Sequence, residues 1–194
     1  MTKILHADDD DPQIDLVYAW EDAQPWHFPA RHAFAAAHPL QDPKSWAYQL
    51  GLLLAVEQSV LPLPQCRTYI ASIMLAEHSD PIKVRASRDR NSSGYCHDDD
   101  PYHYSLSEGS NDEIRLHLYH RHPSVMLHEV AHALMRRAHL AVEAHGPEFM
   151  AACISLLTRH LELDAQDLTA SARLAGVEVS ELNPLAVPPV GLEL

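Results

Sequence analysis

The feature that most constrains this chain is an apolar segment that carries two histidines and a glutamate. The segment follows Pro123 and reads SVMLHEVAHALMRR, which predicts a helix from about Ser124 to His139. Apolar residues would lie on almost every side of this helix, so we expect it to be buried. Buried imidazole and carboxylate groups are costly unless something binds them. The segment therefore predicts a buried helix whose polar side chains hold a ligand.

The polar residues of this segment, His128, Glu129 and His132, form the pattern HExxH. Residues four apart lie on one face of a helix, about 6 Å from each other, so both imidazoles can reach one tetrahedral zinc ion. Glu129 is turned by about 100° around the helix from His128. From there it can act as general base on a water molecule at the open position of the metal. The alternative is a solvent-facing helix with incidental polar residues, which the apolar neighbours disfavour.

A catalytic zinc ion usually has three protein ligands. The candidates for the third ligand are His139, Glu143, His145, Glu148 and His160. The metzincin spacing is absent, because Met135 and Ala138 occupy the positions where it requires Gly and His. His145 fits best, because Gly146-Pro147 directly after it predicts a turn that begins the next helix. The imidazole would then stand at a rigid corner and face the HExxH helix.

The segments HEVAHAL (128–134) and AHGPEF (144–149) together resemble the SprT-like zincins. In that family a third histidine follows HExxH in an HGxxF or HGxxW element. The resemblance covers about residues 45–160 and implies a zinc peptidase with the metal ligands His128, His132 and His145. It further implies that Glu129 is the general base and that Phe149 is a packing aromatic. The chain lacks the four-cysteine zinc ribbon of many members, and the WLM-type zincin domain is also similar.

We expect an α+β fold of the zincin type. It would contain N-terminal helices, a small and mostly antiparallel sheet, the HExxH helix and a following ligand-bearing helix. The further helices are predicted at about Lys44–Val60, Gln65–His78, Pro147–Leu161 and Ala165–Leu174. The predicted domain covers residues 31–175, after an acidic N-terminal arm (1–30) and before a proline-containing tail (176–194).

Three segments have the pattern of strands, namely IKVRA (82–86), YHYSLS (102–107) and EIRLHLY (113–119). In the last segment Ile114, Leu116 and Leu118 alternate with polar residues, which predicts a half-buried strand. Such a strand before the metal helix could be an exposed edge that pairs with an extended substrate. The alternative is an interior strand.

The balance of charge narrows the choice of partners. The chain has 14 Lys and Arg against 27 Asp and Glu, a formal charge of −13. Because such a surface repels phosphate backbones, we do not expect direct binding of nucleic acid. No apolar run reaches the roughly 20 residues of a membrane span, and no apolar signal core follows Lys3. We therefore expect a cytoplasmic protein without membrane contact.

The three cysteines, Cys66, Cys96 and Cys153, form no CxxC pair, which disfavours a zinc ribbon and a disulfide framework. Cys153 lies in an apolar stretch and is expected to be a small core residue.

The sequence thus predicts a zinc-dependent peptidase. It would hydrolyse peptide bonds of a protein or peptide substrate with a zinc-bound water activated by Glu129. Two alternatives stay open. One is a zincin-fold regulator or adaptor that binds zinc with little turnover, and the other is a zinc amidohydrolase that acts on a small molecule. Glu129 disfavours the first, because a purely structural site needs no base. The sequence carries no signal for the oligomeric state.

Overall fold

The computed structural model describes residues 13–87, 94–96, 113–138, 144–181 and 185. These residues form seven α-helices and one small sheet, so the α+β prediction is confirmed at this level. The helices are α1 (Ile14–Ala23), α2 (Pro29–Ala37), α3 (Trp46–Ser59), α4 (Leu63–Ala76), α5 (Pro123–Arg137), α6 (Pro147–Leu161) and α7 (Ala165–Leu174). The strands are β1 (Lys83–Ala86), β2 (Gly94–Cys96) and β3 (Glu113–Leu116), and a 3-10 turn covers Leu118–His120.

Five helices lie close to their predicted bounds. α6 and α7 have the predicted bounds, and α3, α4 and α5 differ from theirs by no more than two residues at either end. α7 begins after Asp164, whose carboxylate accepts the backbone N–H groups of Gln166 and Asp167 at 2.8 and 2.9 Å. α2 was not predicted. Pro29 is the first residue of this helix, where the missing N–H of proline costs nothing.

The sheet is mixed, and β3 is its central strand. β1 pairs with β3 in parallel, with Lys83 opposite Glu113, and β2 pairs with β3 in antiparallel, with Tyr95 opposite Ile114. The prediction of a mostly antiparallel sheet is wrong, because one of the two described pairings is parallel. The chain passes through β2 between β1 and β3, and this crossover is what a parallel pair requires.

The position of β3 decides between the two interpretations of the segment 113–119. β3 has a neighbour on each side, so it is an interior strand and the edge-strand interpretation is wrong. Ile114 and Leu116 are buried as predicted, but the strand ends there. Leu118 lies in the 3-10 turn and is 42% exposed, so the predicted alternation fails at that residue. The strand predicted at 102–107 lies outside the described residues.

The chain divides into two compact units. One comprises Met1–Glu21 with Ala131–Leu194, and the other comprises Asp22–Val130. The boundaries cut through α1 and α5, which are continuous helices. The core of the first unit contains buried residues of α6 and α7, including Phe149, Leu156, Leu157 and Leu168; that of the second contains Ile70, Ile73, Met74, Ile114 and Leu116.

Helix α1 belongs to the first unit as far as Glu21. Its buried residues are Val17, Trp20 and Glu21. The indole N–H of Trp20 donates a hydrogen bond to the Ser171 hydroxyl at 3.0 Å. These contacts fix the position of α1, which lies within the segment predicted as an acidic arm. No helix in the described part of the chain is long and apolar enough to cross a membrane.

Candidate metal centre

Helix α5, which carries HExxH, is buried on almost every side, as predicted. The apolar residues of this helix that are buried are Met126, Leu127, Val130, Ala131, Ala133, Leu134 and Met135. The Ser124 hydroxyl donates a buried hydrogen bond to the His27 carbonyl at 3.0 Å, which fixes the first turn of the helix. His128 and Glu129 are buried among these residues, whereas His132 is only half-buried. Access to the polar side chains of the helix is therefore widest at His132.

Three imidazoles converge in the structure. His128, His132 and His145 can each offer one ring nitrogen such that these nitrogens all lie within 4.8 Å of one another. In a tetrahedral zinc site with bonds of 2.0–2.1 Å, the ligand nitrogens are about 3.4 Å apart. At most a small closing movement would bring the three nitrogens to that separation. The donor set and its spacing therefore fit a zinc ion, and we call these residues the three-histidine group.

His145 is held in place through its backbone and its ring. The side-chain amide of Gln13 donates a buried hydrogen bond to the His145 carbonyl at 3.3 Å. The ring of Tyr18 meets the imidazole edge-on, with 5.3 Å between the centroids. Gly146 then caps α6, which begins at Pro147. The predicted turn after His145 thus forms, and it places the imidazole directly before a buried helix.

Phe149 contacts two of the three imidazoles. Its ring stacks on His132 with 4.3 Å between the centroids and an interplanar angle of 24°. The same ring meets His145 at 5.1 Å and 69°, and His132 and His145 meet each other at 4.8 Å. Because Phe149 is fully buried in the core of the first unit, it can hold both rings in one arrangement. This contact gives a physical reason for the aromatic residue in the HGPEF segment.

The other predicted candidates have different positions. Glu129 belongs to neither of the metal-binding groups found in the described residues, which suits a base and not a ligand. Glu148 and His160 are also in neither group. His139 and Glu143 lie outside the described residues. Of the candidates for the third ligand that the structure describes, only His145 joins the two histidines of α5.

A second group of ligand-type side chains shares His128. Glu21, His128 and Cys153 can each offer one atom such that these atoms lie within 4.8 Å of one another, and all three residues are buried. Cys153 lies in the buried part of α6, as predicted for a core residue. Glu21 was not predicted, because no spacing or motif links it to the HExxH helix. The only local feature that marks it is the tryptophan directly before it.

A histidine cluster (His27, His117, His120 and His122) lies in the second unit. The ring of Phe28 meets His27 at 4.5 Å and His122 at 4.7 Å, edge-on in both cases. Burial, together with the nearby His27 and His120, lowers the pKa of His122 to about 4. Burial also lowers the pKa of His120, with a contribution from His117 that Asp22 partly opposes. His120 and His122 therefore favour the neutral form.

No protein-family model, no curated protein and no solved structure matches this chain. The similarity to SprT-like zincins therefore depends on the segments HEVAHAL and AHGPEF alone.

Proposed function

We propose that this chain is a zinc-dependent peptidase. The observation that carries the proposal is the convergence of His128, His132 and His145, with Glu129 next to His128 on the same helix. Structural zinc sites are usually closed by four protein ligands, whereas catalytic sites have three and leave one position open. In the described part of the chain, no fourth side chain shares one group with the three histidines. This donor set supports a catalytic site.

The side chains divide the chemistry among them. A bound zinc ion would acidify a water molecule and polarise the scissile carbonyl. The Glu129 carboxylate accepts the proton of the attacking water and then donates it to the nitrogen of the leaving amine. The three imidazoles remain neutral, because each needs a free lone pair for the metal. Phe149 keeps the rings of His132 and His145 in position.

The substrate class is supported by the resemblance of the two motifs to a peptidase family. An extended peptide cannot pair with β3, because β1 and β2 occupy both of its edges. Peptide hydrolysis at the three-histidine group therefore does not involve addition of the substrate as a strand to β3.

The test is hydrolysis of an unfolded protein by the zinc-loaded chain, with the products identified by mass spectrometry. Glu129→Gln keeps the shape of the side chain but removes the base, so we expect a loss of about 10²–10⁴-fold in rate with zinc still bound. Glu148→Gln is the matched control, because it changes a carboxylate that is in neither metal-binding group. It should retain the wild-type rate.

Two results would contradict the proposal. Equal rates for wild type and Glu129→Gln would exclude Glu129 as the base. If the zinc-loaded wild type cleaved no peptide bond, two functions would remain, a zinc-binding regulator and an amidohydrolase that acts on a small molecule. An assay of hydrolysis of small amides would distinguish between them.

A further inference from the structure

The carboxylate of Glu21 is buried close to two other ligand-type side chains. Glu21 is 3% exposed, and a carboxylate removed from water is costly unless donors or positive charge compensate it. One of its oxygens lies within 4.8 Å of a ring nitrogen of His128 and of the Cys153 sulfur. The neighbouring Trp20 is buried and bonded to Ser171. The backbone at Glu21 is therefore anchored, and the carboxylate is held near His128.

The group Glu21, His128 and Cys153 could have either of two roles. The group could bind a metal itself, because Glu, His and Cys are all zinc ligands. A metal there would compete with the three-histidine group for His128. However, full burial limits the access of an ion to the Cys153 sulfur. Cys153 has no exposed surface and lies between buried Ala152 and Ile154.

The three-histidine group is the better position for the ion. His132 and His145 belong to it alone, and Phe149 orients both of their rings. His132 is also half-buried, which gives an ion a route of entry, whereas Glu21, His128 and Cys153 are all fully buried. With the ion among the three histidines, Glu21 becomes a partner of a metal-binding imidazole.

We propose that Glu21 is a positioning residue for this metal centre. This inference rests on the proposed zinc site. An imidazole that binds a metal through one nitrogen carries N–H on the other, and a carboxylate that accepts this N–H fixes the tautomer and the ring orientation. Glu21 accepts the N–H of His128 in the zinc-bound protein. Three neutral imidazoles do not neutralise the two positive charges of a zinc ion. The negative charge of Glu21 compensates part of that charge.

The test is the zinc dissociation constant of the full chain, measured by competition with a chromophoric chelator. Glu21→Gln should weaken zinc binding by about 10–100-fold, the range for loss of such a partner. Asp22→Asn is the matched control: Asp22 is the next residue on α1, and its side chain is 53% exposed. It should bind zinc as wild type does. Thermal unfolding of each variant in excess chelator tests whether the metal-free fold is intact, since a merely structural role would change this temperature and not the zinc affinity of the folded chain.

The outcomes separate this inference from the function on which it rests. If wild type binds zinc and Glu21→Gln binds it equally tightly, the positioning role is wrong and the peptidase proposal stands. If wild type binds no zinc, both are wrong. Cobalt(II) in place of zinc tests the competing position, because a cysteine ligand adds a sulfur-to-cobalt absorption band in the near ultraviolet. We expect no such band. A band that Cys153→Ser abolishes would overturn the inference and move the metal to the group with Glu21.

Discussion

Replacement of His122 by phenylalanine should make the stability of the fold less sensitive to acid. His122 is 2% exposed, and its Nε2 atom has no hydrogen-bond partner in the described structure. Burial is the main cause that lowers its pKa to about 4, and His27 and His120 lower it further. Phenylalanine has a similar ring and preserves the edge-on contact with Phe28.

The sign of the effect follows from the two states of the chain. In the unfolded chain a histidine has a pKa of about 6.5, so between pH 6.5 and 4 the unfolded state binds a proton that the folded state excludes. The stabilisation is complete above the unfolded pKa and is lost as the pH falls towards 4. For a folded pKa of about 4, linkage gives a loss of about 2 kcal/mol between pH 7 and pH 5.

The assay is urea unfolding at pH 7 and pH 5 in excess chelator, so that metal binding does not contribute. The free energy of unfolding of wild type should fall by about 2 kcal/mol more than that of His122→Phe between the two pH values. The control is His78→Asn. His78 is exposed and has a φ of 52°, a conformation that asparagine tolerates, so this variant should keep the wild-type loss. If His122→Phe lost as much stability as wild type, the histidine cluster would not be the source of the acid sensitivity.

Three further variants test the packing around the site. Asp164→Ala removes the acceptor for two N–H groups of α7 and should cost about 1 kcal/mol in urea unfolding; no loss would mean that water replaces the cap. Glu113→Gln removes a buried carboxylate that pairs with Arg115 and, at 3.3 Å, with Arg85. It should cost about 1 kcal/mol in the same assay, because the two arginine side chains are 32% and 50% exposed, whereas a cost near zero would show that the pairs are fully solvent-screened. Phe149→Leu keeps an apolar side chain but loses the ring that contacts two imidazoles. It should weaken zinc binding in chelator competition, and an unchanged affinity would refute this positioning.

The metal-binding end of the chain was the part most open to prediction. α5, α6 and α7 have strong local signals, since Pro123, Pro147 and Asp164 mark their first turns. HExxH fixes the spacing of two imidazoles on one helix, whatever the rest of the fold does. His145 was found because the Gly-Pro pair after it predicts a turn. These features depend only on residues close together in the chain, so they can be predicted without knowledge of the fold.

The rest depends on contacts between distant parts of the chain. The position of β3 inside the sheet requires β2, a strand of three residues that has too few positions to show an alternating pattern. α2 has no buried residue, so it lacks the apolar stripe that reveals a helix. Glu21 lies near His128 only because α1 packs in the unit that contains α6. No local rule predicts which acidic residue of the N-terminal segment is buried.

The most direct test of the central claim is the zinc content of purified protein, measured by elemental analysis after dialysis. Wild type and Glu129→Gln should each retain about one zinc ion per chain, because Glu129 is a base and not a ligand. His145→Ala should lose most of its zinc, because three protein ligands are needed to hold the ion against dialysis. A wild type that binds no zinc even when it is supplied would contradict the account. His145→Ala with full zinc content would show that the third ligand lies elsewhere.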